Sequence, residues 1–440
     1  MSRPRLLPSL LARRLPFFYG WVVLGCACCA GFARQGPAVA TLSIFIAPMA
    51  AELDWSKTAI SGAVSLGGVL AAITAPYLGG LLDRHGARAI LVVAILTTGL
   101  AMMGLSLVMT LPVFYVLFCI GRMNFAGPFD LGIYGSINAW FIAKRPTATA
   151  IATTFQMIGL TAMPLIATAA MLWFDDWRLA WVAVGLTVLI VGLLPNWLLM
   201  VRRPEDMGLL PDGRKLPDAE ADPGSDVDGA PASDVAEATF TRAEALRTPT
   251  FWLLCLFTLL VYPVQAGISL HQAPHLLERN FDLTIAATVV GTFSVLSAVS
   301  GLLYGAVARR LPIWLLLASI GACLSGSAIM MVYLETALEA YASAALFGFA
   351  IGGLLTMLPL AWADFFGRRS FGAIRGAALS VQVVAQAIGP VLSGGFRDLT
   401  GDYVLSLWVL AALAAAGSLV ALFLRAPKPP PQRGPDAGST

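Results

Sequence analysis

The chain has 440 residues, of which 58% are hydrophobic and only 12% charged, with a formal net charge of +3. An ordinary soluble enzyme carries about twice that charged fraction, so this composition excludes one and calls for surrounding lipid. The basic residues are scattered over short connections and form no sustained stripe, which removes nucleic acid from the expected partners.

Apolar runs recur from Tyr19 almost to the C-terminus. Crossing a hydrocarbon core of roughly 30 Å takes about 20 apolar residues in a helix, and backbone polar groups in lipid must be satisfied within their own segment. The runs therefore predict an all-α membrane protein with twelve spans, at 19–47, 57–82, 88–110, 112–140, 147–173, 178–201, 250–276, 284–307, 312–334, 338–363, 372–396 and 402–425. Arg3, Arg5, Arg13 and Arg14 ahead of span 1 imitate a secretory signal. The run nevertheless encloses Arg34 and is followed by many more spans, so it reads as a retained first helix with a basic flank.

With the N-terminus inside, 22 of the 28 Lys and Arg residues fall on cytoplasmic loops and tails, Arg375 among them. The outer loops keep only Lys57, Arg178, Arg279 and Arg397. This bias predicts that both termini are cytoplasmic. Ala- and Arg-rich usage with few lysines points to a bacterial inner membrane. All six cysteines lie in apolar runs and read as packing residues, so the cluster Cys26, Cys28, Cys29 is expected to hold no metal.

Between Arg202 and Pro249 the apolar pattern gives way to Pro, Gly, Ala and Asp, a composition expected to stay disordered as a cytoplasmic linker. The chain thus divides into a tail (1–18), a six-span half (19–201), the linker (202–249), a second six-span half (250–425) and a second tail (426–440). An internal duplication would explain the symmetry. Gln156, Gly159 and Pro164 in span 5 are echoed at the same spacing by Gln382, Ala385 and Pro390 in span 11.

The end of span 2 reads Gly79-Gly80-Leu81-Leu82-Asp83-Arg84-His85-Gly86-Ala87-Arg88. Gly79 and Gly86 permit close contact, Asp83 can face a neighbouring helix N-terminus, and Arg84 and Arg88 can hold the end of the bundle. The segment resembles the G-x-x-x-D-R-x-G-R signature of the major facilitator superfamily. The second half has Gly301 and Gly305 before Arg309-Arg310 but no matching acid, which predicts an asymmetric latch.

Further pieces are similar to the bacterial monocarboxylate-transporter-like branch that includes oxalate/formate antiporters. They are Tyr19-Gly20-Trp21, Asp54-Trp55-Ser56, Trp140-Phe141 with Lys144-Arg145, Asp176-Trp177-Arg178, and Phe366-Gly367-Arg368-Arg369. The resemblance implies alternating access, with two halves rocking about a cavity lined by spans 1, 4, 7 and 10, and one chain sufficing. One departure matters. The oxalate/formate antiporters pair basic residues in helices 8 and 11, whereas span 8 here has none before Arg309 and span 11 offers Gln382 and Gln386. A monocarboxylate held from the first half is expected in place of a dianion.

A charge at mid-membrane costs on the order of 2.5–3.5 kcal/mol even on lenient insertion scales, so it marks an interior, wet or paired location. Arg34 in span 1 and Arg122 in span 4 are such charges. Their planar, permanently charged forks suit a carboxylate. The competing reading of Arg122 is that it binds backbone carbonyls or Asp130. Asp130 follows Arg122 by eight residues, about 80° around the helix, so direct pairing is not expected. Asp130 either carries a coupling proton or, as the favoured reading, binds the basic loops.

His271 and His275 share a helix face near the outer end of span 7. Metal binding would need further ligands, proton sensing by His271 is the alternative, and an exposed or interfacial pair without a special role is the plainer expectation. Gln35, Asn124, Gln156, Tyr262, Gln265, Gln382 and Trp362 complete the substrate candidates, with Asn138 and Gln386 as further intramembrane polar groups and Asp364 as a gate residue.

The leading expectation is a secondary transporter of a small organic anion, most readily a monocarboxylate, driven by a coupling proton or a counter-anion and needing no cofactor. Efflux of hydrophobic drugs is the alternative, and it predicts indifference to loss of Arg34. A membrane sensor or membrane-embedded enzyme comes third, since no phosphate-cradling loop, metal cluster or nucleophile-base pair stands out.

Overall fold

A computed structural model describes residues 6–213 and 240–428. Eleven of its helical segments are long and apolar enough to cross a membrane. The remaining crossing, span 1, is built from two shorter apolar helices, Gly20–Ala33 and Val39–Leu53. The expected single helix over 19–47 is thus corrected. Pro37 has no N–H to donate and disfavours the helical region for the residue before it, and Ala38 is extended, so the chain breaks between Arg34 and Ala38 and resumes for fifteen residues.

The other spans are Lys57–His85 (2), Ala87–Gly104 (3), Arg145–Phe174 (5), Pro249–Glu278 (7), Leu283–Val307 (8), Ile313–Val332 (9), Ala337–Phe366 (10), Phe371–Thr400 (11) and Val404–Leu422 (12). Span 4 is also broken. It runs over Leu111–Ala126 and Pro128–Trp140, with Gly127 at φ −115° and ψ −87° between them, and Pro128 opens the second piece where a missing N–H costs nothing. Span 6 passes from Trp177–Thr187 through a π-helical turn, Val188–Leu193, into Leu194–Leu198. Asn196 braces that turn by donating to the carbonyls of Gly192 and Cys26.

The face bearing the chain ends and the linker is called the terminal face below. On the opposite face Arg178 holds the first half together, donating to the carbonyls of Ser106 and Val108 at 2.9 Å each and pairing with Glu52 at 2.9 Å. Phe45 stacks on Trp181 at 3.8 Å between ring centroids, joining spans 1 and 6. In the second half the glycines of span 10 bring it onto span 8. Any Cβ at Gly352 would run into the Ser297 carbonyl, and one at Gly348 into Phe293.

The halves meet where span 2 crosses span 11 and span 5 crosses span 8. The hydrogen bonds joining them run from mid-membrane, where Ser380 donates to the Ala72 carbonyl, down to the terminal face. There Asp83 accepts from the backbone N–H groups of Gly372 and Ala373 at 2.8 Å each, Arg145 pairs with Asp364 at 2.6 Å, and Asn138 donates to the Gly367 carbonyl. Gly79 lies against the Gly372 carbonyl so closely that no side chain fits between them. Arg88 donates to the Trp197 carbonyl and Arg202 packs over Gly86, whose φ of +81° suits glycine, while Arg84 is exposed. The halves are therefore latched on the terminal face.

Of the linker, 202–213 and 240–249 are described. Asp212 accepts from the backbone N–H groups of Ile142, Ala143 and Lys144, and Phe240 N–H donates to the Phe366 carbonyl. Both ends of the linker thus rest on the loops of the terminal face. The expected disorder falls mainly on 214–239, outside the described residues.

Candidate functional site

The two helix breaks bring the charged residues together. Arg34 ends the first helix of span 1 and Asp130 lies in the first turn of the second helix of span 4. Span 5 approaches span 1 at Gly31 and Gly159, where added Cβ atoms would sit 2.8 Å from Gln156 and from the Phe32 backbone. Close approach lets Gln156 reach Arg34. Arg34 Nη1 donates to Gln156 Oε1 at 2.8 Å and lies 3.8 Å from Asp130 Oδ2. Gln156 Nε2 donates to the Tyr134 hydroxyl, which donates onward to the Leu355 carbonyl of the second half at 3.2 Å.

Arg122 and Arg34 share one aromatic ring. Their guanidinium carbons lie 4.5 and 4.6 Å from the centroid of Phe125. The ring faces favour the cations, but the cations repel each other. Gly67 of span 2 makes room for Arg122, since a Cβ there would meet its side chain at 2.6 Å. The Arg122 Nε is buried without a hydrogen-bond partner, and among the described residues neither a carboxylate nor a carbonyl binds its guanidinium. Neither Asp130 nor a backbone carbonyl satisfies it, so the competing structural reading is not met.

Asp130 is not on the loops. It is buried, with Arg34 on one side and Arg375 of span 11 on the other at 3.2 Å. That corrects two expectations: Asp130 pairs with Arg34 and Arg375 inside the bundle and not with the loops, and Arg375, counted with the loop arginines, is buried one turn inside span 11. Arg375 donates to Gln382 at 2.9 Å, as Arg34 does to Gln156. The echoed glutamines of the two halves thus each hold an arginine, and both arginines converge on Asp130. Three guanidiniums in this cluster face one carboxylate, leaving an excess of positive charge.

The remaining candidates divide. Gln382, Gln35 and Tyr262 are buried, and Tyr262 lies within reach of the charges of Arg375 and Asp130. Gln265 accepts from Gln386 at 3.3 Å across spans 7 and 11. Asn124 turns away, giving its amide to Thr97, Thr98 and the Ala94 carbonyl of span 3, because two residues along a helix rotate it about 200° from Arg122. Trp362 is packed in an aromatic cluster with Phe251 and Phe366 near the terminal face.

His271 and His275 are not an exposed pair. His271 contacts the Tyr403 hydroxyl and the Pro390 carbonyl at 3.2 Å each, and His275 contacts the Met331 carbonyl at 2.8 Å. The contacts of both lie within the second half. Phe125, Tyr134 and Arg375 carry parts of the site that sequence reasoning missed. The echo of Gln156 in Gln382 was the available signal for Arg375, seven residues before Gln382.

A bundle of membrane-crossing helices in two halves, latched on one face around buried charges, defines a multi-pass membrane transporter. The family model of the Major Facilitator Superfamily matches residues 23–390, and the chain belongs to that superfamily. Its members carry small molecules across membranes, which places this chain with transporters and not enzymes. The chain is similar to Monocarboxylate transporter 1 of Mus musculus, with 24% identity over 434 residues that cover 90% of this chain and 82% of that protein.

Among solved structures it is similar to the transporter FucP in the outward conformation (12% identity, TM-score 0.68, covering 92% of this chain and 99% of that one). It is also similar to the proton:xylose symporter XylE (13% identity, TM-score 0.70, covering 92% and 96%) and the human organic anion transporter TETRAN (13% identity, TM-score 0.69, covering 91% and 99%). Likeness at this level establishes the shared fold.

Proposed function

We propose that the protein is a secondary active transporter of small organic anions, foremost monocarboxylates, working by alternating access. The observation that carries this reading is the Arg122 guanidinium, which shares the Phe125 ring with Arg34 and has no carboxylate of its own. A carboxylate entering between the two arginines relieves their repulsion and takes up their donors, an interaction that strengthens where water is excluded. The similarity to a protein named for monocarboxylates supports the same substrate class.

Arg34, Arg122 and Gln156 form the substrate site, and Gln35, Tyr262, Gln265 and Gln382 line its approach. Asp83 with Gly79, Gly86 and Arg88 forms the latch. The protein lies in a bacterial inner membrane with both termini cytoplasmic and works as a monomer. In that orientation the latched terminal face is cytoplasmic and the halves stand outward-facing. Transport is coupled to a proton or to exchange for another anion.

The test is uptake of labelled monocarboxylates and dicarboxylates into proteoliposomes, with and without an inward proton gradient, by wild type, Arg34→Gln and Arg122→Gln. Saturable monocarboxylate uptake lost in both variants is expected. Uptake indifferent to both arginines would remove the anion site and favour efflux of hydrophobic compounds.

A further inference from the structure

Asp130 occupies a place that the anion site does not by itself explain. It belongs to the first half, yet its nearer cationic partner, Arg375 at 3.2 Å, belongs to the second, and the farther one, Arg34 at 3.8 Å, belongs to its own. Asp130 and Arg375 are buried and Arg34 is partly so, with relative side-chain exposures of 5%, 1% and 11% for Asp130, Arg375 and Arg34. The Asp130–Arg375 pair is poorly bonded for so dry a location. Asp130 Oδ1 and the Nε and Nη1 of Arg375 are buried without hydrogen-bond partners, so the contact is an ion pair and not a bidentate fork. Such a pair sits near the balance between attraction and desolvation and is suited to being broken and remade. The two glutamines keep each arginine in place on either side of it.

We propose that Asp130 is a charge hand-off between the halves, which sets the anion affinity of the site according to which face is closed. This rests on the reading of Arg34 and Arg122 as the anion site. With the terminal face closed, Arg375 engages Asp130, and Arg34, held at 2.8 Å by Gln156, is left to bind an anion together with Arg122. When the halves part on that face, span 11 withdraws Arg375 with it. Asp130 then has Arg34 as its remaining cation, neutralises it, and expels the anion. An anion that binds one state better than the other shifts the equilibrium between them by that difference, so the hand-off supplies the differential affinity that alternating access requires.

The experiment is a double-variant cycle on the full chain, with two readouts. Binding of acetate, lactate and benzoate is measured at equilibrium. The separation of the halves is measured without any anion, from spin labels at the exposed positions Ile142 and Arg369 on facing ends of spans 4 and 11. Arg375→Gln frees Asp130 to fall on Arg34, so anion affinity drops on the order of tenfold and the label distance lengthens. Asp130→Asn also lengthens the distance, but anion affinity holds or rises. In the double variant Asp130→Asn/Arg375→Gln the affinity recovers to that of Asp130→Asn alone.

Arg375→Lys, which keeps the charge, restores both the short distance and the affinity. That rescue separates the hand-off from misfolding. A double variant as weak as Arg375→Gln would overturn the proposal in favour of Arg375 touching the anion itself. Label distances unchanged in both single variants would overturn the tie between the halves. If wild type binds none of the three anions, the substrate reading fails, and the label distances still decide whether Asp130 and Arg375 hold the face closed.

Discussion

Replacing Asp83 by Asn is expected to loosen the closed terminal face by about 2 kcal/mol. Its carboxylate accepts two backbone N–H groups, from Gly372 and Ala373 at 2.8 Å each, at the start of the thirty-residue helix of span 11. Those groups have no partner within their own helix, and the helix dipole adds attraction for a negative charge. An amide keeps one acceptor oxygen, so one of the two bonds is lost. A hydrogen bond to a charged group contributes about 1.5–3 kcal/mol, and the charge–dipole interaction about 0.3–1 kcal/mol. Desolvation of the buried carboxylate offsets part of this, leaving about 2 kcal/mol, or roughly thirtyfold in the balance of open and closed forms. Spin labels at Ile142 and Arg369 read that balance directly. A closed fraction in Asp83→Asn within threefold of wild type would refute the idea that this cap carries the closure.

Three further outcomes follow from the packing. Gly67→Val places a side chain against Arg122, whose stem lies 2.6 Å from the position of a Cβ there; KM for the carboxylate should rise at least tenfold and the detergent melting temperature should fall with the overpacking, and a normal KM would show that Arg122 is not at the site. Arg178→Gln removes two carbonyl contacts of 2.9 Å, a loss of about 2 kcal/mol, along with the exposed pairing to Glu52, read as a lower melting temperature with anion affinity unchanged. His271→Gln should leave the pH profile of uptake in place, because both ring nitrogens are engaged within the second half; a displaced profile would return His271 to proton coupling.

What could be read from the chain was set by cost. Arg34 and Arg122 stand out because a charge inside an apolar run is expensive wherever it points. Arg375 has the same cost but lies only one turn inside span 11, close in sequence to Arg368 and Arg369, so a count of flanking charges absorbs it into the loop. Its partner Asp130 is distant in the chain, and that pairing depends on how two halves dock. The breaks at Gly36-Pro37 and Gly127-Pro128 were written in residues that oppose helix, yet the apolar runs on either side masked them.

Helix rotation decided the rest. Asn124 and Trp362 have side chains that could bind a substrate, but packing turns the first into span 3 and the second into an aromatic cluster. Gln156 and Gln382 show the opposite case, a faint echo in sequence that becomes a matched pair of arginine supports in space.

The central claim is that the arginine pair recognises the charge of a carboxylate. It is tested most directly by equilibrium binding of lactate against lactamide, its uncharged amide, to purified wild type and Arg122→Gln. Saturable binding of lactate alone, with the preference abolished in Arg122→Gln, is the predicted result; equal binding of the two compounds by wild type, or a preference that survives loss of Arg122, would contradict it.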